Sequence, residues 1–306
     1  MPICIVGDLR DLTAVYMGWL ARRRQLDVLE LSEDRIGDDW YFGYSDTAPH
    51  AGAIWVNGTA YRYAEIQGAY VRLNPHPRPP EGVALEPQEE ATLLVERRHG
   101  FQHFLNTAPV PVANRLCAGR SNSSKPYQMR LLTQAGFAVP RWIAANDAAA
   151  VEQFMATCVQ GTIVKSCSGL RSHVRRVDDE FLRRLREGAS PAIVQEYIPG
   201  RDVRVHVVGD HIFPTDVLTS AVDYRFDEGG GEFRSADMPQ PLGELCCRFA
   251  IAEGLIVAGF DFRVTPDGDW YCLEMNPVPT FLPYEMATGQ PIGDAILDTF
   301  ERPERY

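Results

Sequence analysis

Long hydrophobic runs are absent from this sequence. The longest apolar candidate, Phe249 to Phe260, is short and is interrupted by Glu253, whereas a membrane-spanning helix needs about 18 or more apolar residues. The first residues, Met1 to Gly7, lack the basic region and the long apolar core of a signal peptide. We therefore expect a cytoplasmic protein with no membrane partner.

Cysteine is sparse and is not spaced for disulfide pairing or zinc binding. The seven cysteines are odd in number and scattered, and no two of them have CxxC spacing. A disulfide framework and a structural zinc site are both disfavoured by this pattern. A reducing compartment is the natural environment for such a chain, in agreement with the cytoplasmic prediction.

Positive charge is also in short supply. The chain has 30 Lys and Arg against 41 Asp and Glu, which gives a net charge of −11. Because duplex nucleic acid is repelled by such a charge, we expect no nucleic-acid partner. The 306 residues correspond to about two domains, with three modules an open alternative.

The N-terminal region has the pattern of a small parallel-sheet domain. Ile3 to Val6 and Leu26 to Leu31 are short apolar runs separated by a segment in which apolar residues recur at helical spacing. This order predicts a βαβ unit. A helix is predicted at Pro87 to Leu105 and a last strand at Val110 to Ala113, so we place a domain boundary near residue 114.

The remaining two thirds of the chain predict mixed helices and strands. One helix begins at Lys125-Pro126 and ends at Gly136, which follows the preference for proline in the first turn and glycine after the last. The segment Asp227 to Glu232 predicts a mobile surface loop. The predicted strands that bear on function are Thr162 to Lys165, Ala192 to Tyr197, Val203 to Val208, Ala258 to Val264 and Trp270 to Met275.

The last two of these strands form a predicted hairpin that carries oxygen donors. Glu274 and Asn276 are two residues apart on one strand and therefore share a face, and Asp261 lies on the partner strand. Carboxylate and amide oxygens are donors that suit Mg²⁺, which also takes phosphate oxygens from a bound substrate. A solvated hairpin with charged edges remains the alternative when this segment is taken alone.

Two lysines precede the hairpin in positions that suit phosphate binding. Lys165 ends an apolar strand and is followed by a loop of small residues, Ser166 to Leu170, whose N–H groups could contact phosphates. Lys125 begins a helix, where the helix dipole favours anions. The chain has neither GxxxxGK[ST] nor GxGxxG, so a P-loop and a Rossmann dinucleotide site are not predicted.

A third segment could hold a nucleoside. The strand that contains Gln195 stops at Pro199-Gly200 and exposes backbone groups at its end, as recognition of an adenine edge requires. Asp202 follows, and its carboxylate could accept hydrogen bonds from a ribose hydroxyl.

The order of these segments resembles the ATP-grasp superfamily. Within it, the stretches NSSKPYQMRLLTQAGFAVP, DVRVHVVG and DFRVTPDGDWYCLEMNP look most like the RimK-type carboxylate–amine ligases, and they are similar to the microviridin or graspetide ligases that crosslink ribosomal peptides. The resemblance covers about residues 114–285 and implies an α/β protein with α+β lobes. The implied units are an N-terminal pre-ATP-grasp domain with a parallel sheet (1–114), a central ATP-grasp lobe (115–190) and a C-terminal ATP-grasp lobe with the metal site (191–306).

The resemblance also implies a role for each matching residue. Arg204 and Arg263 match basic catalytic positions that face the transferred phosphoryl group and the substrate carboxylate. Asp261, Glu274 and Asn276 match the ligands of Mg²⁺, for which the resemblance implies that Mn²⁺ can substitute. The matches to the ATP-binding positions are Lys125 and Lys165 at the phosphates, Gln195 at the adenine amino group, Glu196, Tyr197 and Ile198 in the hinge, and Asp202 at the ribose.

Three departures from the family pattern stand out. The phosphate loop has a single glycine, Gly169, and Asn276 is followed by Pro277-Val278-Pro279 in place of a turn that contains glycine. The N-terminal domain has no recognisable substrate motif.

The implied function is an ATP-dependent ligase that joins a carboxylate to an amine through an acyl phosphate, with small-molecule or peptide substrates. A ligase that modifies or crosslinks a ribosomal peptide in natural product biosynthesis is one alternative. A kinase that phosphorylates a hydroxyl and a nucleotide-binding module without catalysis are others. A homodimer is left open.

Overall fold

In the computed structural model, residues 1–45, 52–74, 86–168, 174–218 and 232–302 are described. Within these ranges, no helix combines the length and the hydrophobicity needed to cross a lipid bilayer. Four sheets organise the described parts of the chain.

The N-terminal region contains a parallel sheet and a small antiparallel sheet. The parallel sheet has the strand order β2-β1-β6-β7, and β3, β4 and β5 form the antiparallel one. The Asp11 side chain accepts hydrogen bonds from the N–H groups of Thr13 and Ala14 and thereby caps the first helix. The elements are β1 (Ile3–Gly7), α1 (Leu12–Arg23), β2 (Val28–Ser32), β3 (Trp40–Gly43), β4 (Ala53–Val56), β5 (Thr59–Arg62), β6 (Gly68–Arg72), α2 (Pro87–Thr107) and β7 (Val112–Ala113).

The central region is an antiparallel sheet with helices, in the strand order β10-β9-β11-β8. Gly136 follows the first of its helices with a φ of +104°, a left-handed conformation that favours glycine. The elements are α3 (Lys125–Ala135), β8 (Trp142–Ala145), α4 (Ala148–Met155), β9 (Thr162–Ser166), β10 (Arg175–Arg176), α5 (Asp179–Arg186) and β11 (Ala192–Glu196).

The C-terminal region is built on an antiparallel sheet in the order β14-β13-β12-β15-β16. The predicted hairpin of β15 and β16 is confirmed, and it contains an irregularity between Asp261 and Phe262. The elements are β12 (Arg201–Val208), β13 (His211–Leu218), β14 (Glu232–Ser235), α6 (Gln240–Ala252), β15 (Val257–Val264), β16 (Trp270–Asn276), α7 (Leu282–Thr288) and α8 (Ile292–Glu301).

One hydrophobic core joins the two ends of the chain. Ile3 and Ile5 of β1 and Met17 of α1 belong to the same buried cluster as Ile296 and Phe300 of α8. The ring of Phe300 packs so closely on Gly68 that a Cβ at that glycine would lie 2.5 Å from it. The last helix is therefore packed on the N-terminal parallel sheet.

Most of the predicted elements are confirmed, but five strands and helices were missed. The strands at Ile3 and Val203 and the helix at Lys125 begin within two residues of their predicted starts. The sequence analysis did not predict β3, β8, β14, α7 or α8. Gly169, Leu170 and most of the predicted loop at Asp227 to Glu232 lie outside the described residues, while Glu232 begins β14.

Candidate active site

A cavity between the central and C-terminal sheets collects most of the predicted site residues. Of the twelve, those that line it are Lys165, Gln195, Tyr197, Asp202, Arg204, Asp261, Arg263 and Glu274. The other four, which are not part of its lining, are Lys125, Glu196, Ile198 and Asn276. The cavity thus brings together side chains from β9, β11, β12, β15 and β16.

Strand register brings the acidic residues of the hairpin together. Asp261 on β15 lies directly opposite Glu274 on β16, and Asn276 lies opposite Gly259. On the other side of β15, Arg204 of β12 is paired in register with Asp261. The Arg204 guanidinium donates to Oδ1 of Asp261 at 2.8 Å, and its side chain is only 6% exposed. One arginine and two carboxylates are therefore held at one end of the cavity by three adjacent strands.

Helix α3 supplies the next cation to this end. Nζ of Lys125 lies 3.5 Å from Oε2 of Glu274, and the side chain is 7% exposed. Gln128, one turn further along the helix, donates from Nε2 to the carbonyl of Met275 at 2.7 Å. Its Oε1 accepts from the Met275 N–H at 3.0 Å. Both backbone groups of one residue in β16 are therefore satisfied by one side chain, and this fixes the start of α3 beside Glu274.

Lys165 and the segment that follows it approach the same place. Lys165 is buried, and its Nζ is 3.5 Å from the carbonyl oxygen of Leu273. The N–H of Lys125 donates to the carbonyl of Cys167. Ser124 and Ser168 form an isolated antiparallel bridge. The start of α3 and the segment after β9 are therefore tied together.

The candidate adenine end is built around β11. Gln195 is 1% exposed, and its Nε2 has no hydrogen-bond partner within the described residues. A buried amide without a partner costs free energy unless a ligand satisfies it. Just beyond it, the N–H groups of Glu196 and Tyr197 donate to the carbonyls of Arg141 and Gly161. This leaves Ile198 as the first hinge residue whose N–H makes no backbone hydrogen bond in the described ranges.

Two arginines brace the hinge, and neither was predicted. The Arg141 guanidinium donates to both carboxylate oxygens of Glu196, at 2.9 and 3.0 Å. This hydrogen bonding lowers the pKa of the Glu196 carboxyl. Arg176 of β10 lies over the Tyr197 ring, with its guanidinium carbon 3.5 Å from the ring centroid. The side chain and the N–H of Glu196 are thus both engaged with Arg141.

The Arg263 guanidinium is paired with Asp202. We expected Arg263 beside the metal ligands, and it lines the same cavity as Asp261 and Glu274. Its Nε is 3.2 Å from Oδ1 of Asp202, and its Nη1 donates to the carbonyl of Gly200. The reason is register, because Asp202 of β12 lies directly opposite Arg263.

The candidate metal ligands form a set of oxygen donors. Among the described residues, no group of three or more His, Cys, Asp or Glu side chains could hold a metal ion, so the set consists of two carboxylates and the amide of Asn276. Oδ1 of Asn276 accepts from the Val278 N–H at 2.9 Å, and a carbonyl oxygen has a second lone pair. Hard oxygen donors that leave coordination positions for phosphate fit Mg²⁺.

Two side chains from the N-terminal region support the turn after Asn276, and sequence reasoning missed both. Asn114, at the end of β7, donates from Nδ2 to the carbonyls of Val257 and Pro277. Arg72 of β6 donates to the carbonyl of Val278 at 3.1 Å and to Oγ1 of Thr280 at 2.6 Å. Local patterns do not reveal such contacts, because they join residues more than 140 positions apart.

The buried cations, the paired carboxylates and the orphaned glutamine amide, arranged between two antiparallel sheets, are the features of an ATP-dependent ligase with an ATP-grasp fold. The family model of the RimK-like ATP-grasp domain matches residues 122–300, which is more than half of the chain. The chain belongs to this family, and the recognition made from its motifs is confirmed. A comparison with curated proteins found no match.

Solved structures share the fold over nearly the whole chain. Macrocyclase MdnC from Microcystis aeruginosa MRC, bound with precursor peptide MdnA, is 20% identical with a TM-score of 0.82, over 99% of this chain and 100% of that one. ATP-grasp ligase PsnB, with a phosphomimetic variant of its minimal precursor, Mg and ADP, is 24% identical with a TM-score of 0.80, over 97% and 98%. A RiPP-associated ATP-grasp ligase of Chryseobacterium gregarium, with ADP and a leader and core peptide, is 14% identical with a TM-score of 0.79, over 99% and 97%. At sequence identities below 25%, this structural similarity establishes the fold alone.

Proposed function

We propose that this ligase activates a carboxylate of a peptide substrate as an acyl phosphate and then joins it to an amine. The observation that carries the proposal is the array at one end of the cavity. There, Arg204 pairs with Asp261, Asp261 lies opposite Glu274, and Glu274 pairs with Lys125. The other end of the cavity presents Nε2 of Gln195, which has no hydrogen-bond partner among the described residues. A nucleoside triphosphate has a hydrogen-bonding base at one end and a transferable, negatively charged phosphoryl group at the other. The two ends of the cavity match these two ends of the ligand.

The chemistry needs two displacements. A carboxylate oxygen of the substrate attacks the terminal phosphorus of ATP, the bond to the bridging oxygen breaks, and ADP leaves. The amine nitrogen then attacks the acyl carbon, phosphate leaves, and the amine loses one proton. Positioned charges that meet the transferring group are the main means of accelerating such steps.

Each predicted residue has a role in this proposal. Arg204 faces the phosphoryl group, while Arg263, which lies against Asp202, aligns the residue that holds the ribose. Lys125 and Lys165 contact phosphate oxygens, and Gln195 with the backbone of Glu196 to Ile198 receives the base. Asp261, Glu274 and Asn276 would hold Mg²⁺, or Mn²⁺ in its place, which would neutralise phosphate charge when bound. Burial raises the pKa of the Cys167 thiol, so a cysteine nucleophile has no support here.

A peptide is favoured over a small molecule because MdnC, PsnB and the Chryseobacterium enzyme were each solved with a precursor or a leader and core peptide. We further propose domain boundaries near residues 114 and 190 and a cytoplasmic location. The described residues show strong packing between the first and last parts of the chain, so these boundaries would delimit units that do not fold independently.

The deciding experiment incubates the protein with Mg²⁺-ATP and peptides that contain both acidic and lysine side chains, with product masses recorded. Ligation appears as the loss of one water per bond together with one ADP. A product that gains phosphate and forms no new amide would show a kinase instead. Free amino acids and dipeptides form the comparison panel for the small-molecule alternative.

Glu274→Ala tests the acidic pair within that assay. We expect turnover to fall by about a hundred-fold or more, because a preorganised charged group at the reacting centre is lost. Asp267→Ala is the matched control, since Asp267 is exposed in the turn of the same hairpin. Full activity in a folded Glu274→Ala protein, or in the presence of EDTA, would remove the metal assignment.

A further inference from the structure

A second cleft lies outside the candidate nucleotide cavity. It has a volume of about 1170 Å³, and residues from both ends of the chain line it. Asp8 and Asn74 follow strands of the parallel sheet, Arg120 and Ser123 belong to a 3₁₀ turn, and Val278 belongs to the turn after Asn276.

The strand order of the N-terminal sheet places this cleft where such sheets bind ligands. In this sheet β2 lies on one side of β1, and β6, which comes later in the chain, lies on the other side. Ligands of open α/β sheets bind beyond the carboxyl ends of the strands at the point where the order reverses. Asp8 and Asn74 stand at that point, and Nδ2 of Asn74 donates to Asp8. Gly7 permits the two strand ends to meet, since a Cβ there would lie 2.0 Å from the carbonyl oxygen of Arg72.

The cleft also reaches the candidate phosphate end of the first cavity. Pro277 and Val278, which line the cleft, directly follow the candidate ligand Asn276. Ser168, another lining residue, belongs to the segment after Lys165. A molecule bound in the cleft can therefore present one of its groups to the place where we put the terminal phosphate.

The charge of the cleft is opposite to that of the whole chain. Its lining contains Arg10, Arg72, Arg115 and Arg120 against Asp8 and Asp11, whereas the protein carries −11 overall. An acidic chain that concentrates arginine in one cleft provides a local binding site for anions.

Three of the four guanidiniums already have protein partners. Arg10 pairs with Asp8 and Asp34, and Arg72 pairs with Asp11. Arg115 donates to the carbonyls of Leu105, Ala108 and Val110. Within the described residues, the exposed side chain of Arg120 makes no ion pair or hydrogen bond, and it alone of the four is available to a ligand.

We propose that this cleft binds an acidic segment of the peptide substrate and that Arg120 pairs with one of its carboxylates. The inference rests on the proposed function, because it takes the cleft as the entry of the substrate to the phosphate end. A guanidinium binds a carboxylate through two parallel N–H···O bonds, a geometry that lysine does not reproduce. Arg120 is in this view a residue that selects substrates by charge.

The test measures binding of fluorescein-labelled hexaglutamate, hexaglutamine and hexalysine by fluorescence anisotropy, with the full chain at low salt. The wild-type protein should bind hexaglutamate in preference to the other two. Arg120→Gln should weaken that binding by about ten- to a hundred-fold, the range for a charge-assisted hydrogen bond. The affinity of Arg120→Lys for hexaglutamate should lie between those of the wild-type protein and Arg120→Gln. Arg248→Gln is the matched control, because Arg248 is an exposed arginine of α6 that does not line the cleft.

The outcomes separate this inference from the proposed function. Equal binding of hexaglutamate and hexaglutamine, or an equal loss in Arg120→Gln and Arg248→Gln, would overturn the cleft assignment. Calorimetry of ADP with Mg²⁺ on the wild-type protein reports on the first cavity independently. ADP binding without a preference for hexaglutamate rejects only the cleft, whereas hexaglutamate binding without ADP binding rejects the nucleotide site.

Discussion

Gly259 leaves the space that the Arg204 guanidinium occupies. A Cβ at this position would lie 2.2 Å from Nη2 of Arg204 and 2.8 Å from Cβ of Pro279. The guanidinium can therefore cross the backbone of β15 and reach Asp261 at 2.8 Å. In our proposal this placement directs Arg204 toward the transferred phosphoryl group. The site therefore requires glycine at position 259.

Gly259→Ala should displace Arg204 and reduce ligation by about a hundred-fold, the effect expected from misplacing a reacting group by about 1 Å. Single-turnover ligation measures this, with ADP calorimetry alongside. Gly18→Ala is the control. The Cβ added in α1 would meet the far ends of the Arg22 and Glu30 side chains at 3.3 and 3.5 Å and Cγ1 of Ile5 at an ordinary contact distance of 3.9 Å. Normal turnover in a folded Gly259→Ala protein would contradict this role for Arg204.

His206 predicts a pH dependence of stability. Burial, together with the charge of Arg204, holds the pKa of this histidine well below 6.5, against the opposing effect of a hydrogen bond to Thr280. The folded state therefore keeps His206 neutral, while the unfolded chain takes up a proton below a pH of about 6.5. It follows that this residue lowers the free energy of unfolding as the pH falls below that value and has no such effect above it.

His206→Gln should flatten this dependence. Between about pH 5 and 6.5, the free energy of unfolding should fall less steeply in the variant, by up to about 1.4 kcal/mol per pH unit. Urea denaturation across this pH range measures the slopes, and a comparison of slopes is insensitive to any loss of packing. His211→Gln, which changes an exposed histidine, is the matched control. Identical slopes for His206→Gln and wild type would show that His206 is not held neutral.

A buried glutamine of helix α3, Gln128, hydrogen-bonds the helix to strand β16. Gln128 satisfies both backbone groups of Met275, and it is 1% exposed. Because Lys125 lies on the same helix, the contact that fixes α3 also fixes the cation beside Glu274.

Gln128→Leu should leave the N–H and the carbonyl of Met275 buried without partners. Each orphaned group costs about 1–3 kcal/mol, so we expect a loss of about 2–6 kcal/mol in the free energy of unfolding. Denaturant titration gives this value. The control is Gln134→Leu, which changes an exposed glutamine of the same helix. A loss no larger than in the control would mean that water replaces the glutamine.

The limits of sequence reasoning are clearest in these elements. The hairpin of β15 and β16 was predictable because alternating residues and a Pro-Asp-Gly turn are local signals, and so was α3 with its proline and its terminal glycine. The partner of Arg263 was not, because it depends on which residue of β12 lies opposite. Gln128 and Asn114 carry no motif at all, since their contacts join distant parts of the chain. Helices α7 and α8 were also not predicted from the sequence.

Across the whole molecule, the packing of α8 on the first sheet predicts a single unfolding transition. Ile296 is fully buried among residues of β1 and α1, so its loss should weaken both ends of the chain together. Ile296→Ala should lower the free energy of unfolding by about 2–5 kcal/mol. Ile251→Ala, at a position that is 67% exposed on α6, should cost little.

The measurement follows tryptophan fluorescence and far-ultraviolet circular dichroism during denaturation. Both signals should shift together in Ile296→Ala, as a cooperative unit requires. Two separate transitions in the wild-type protein would show that the ends unfold independently and would support units divided at residue 114.

The return of α8 to the first sheet has a consequence for protein engineering. The simplest chimera that exchanges the N-terminal part between related ligases has one crossover, near the end of β7. With a single crossover, however, the sheet of one parent must pack against the helix of the other, and residues in close contact, such as Gly68 and Phe300, then come from different parents. A second crossover before α8 keeps the sheet and its helix from the same parent. Libraries built with both junctions should yield more folded hybrids than libraries built with the first alone.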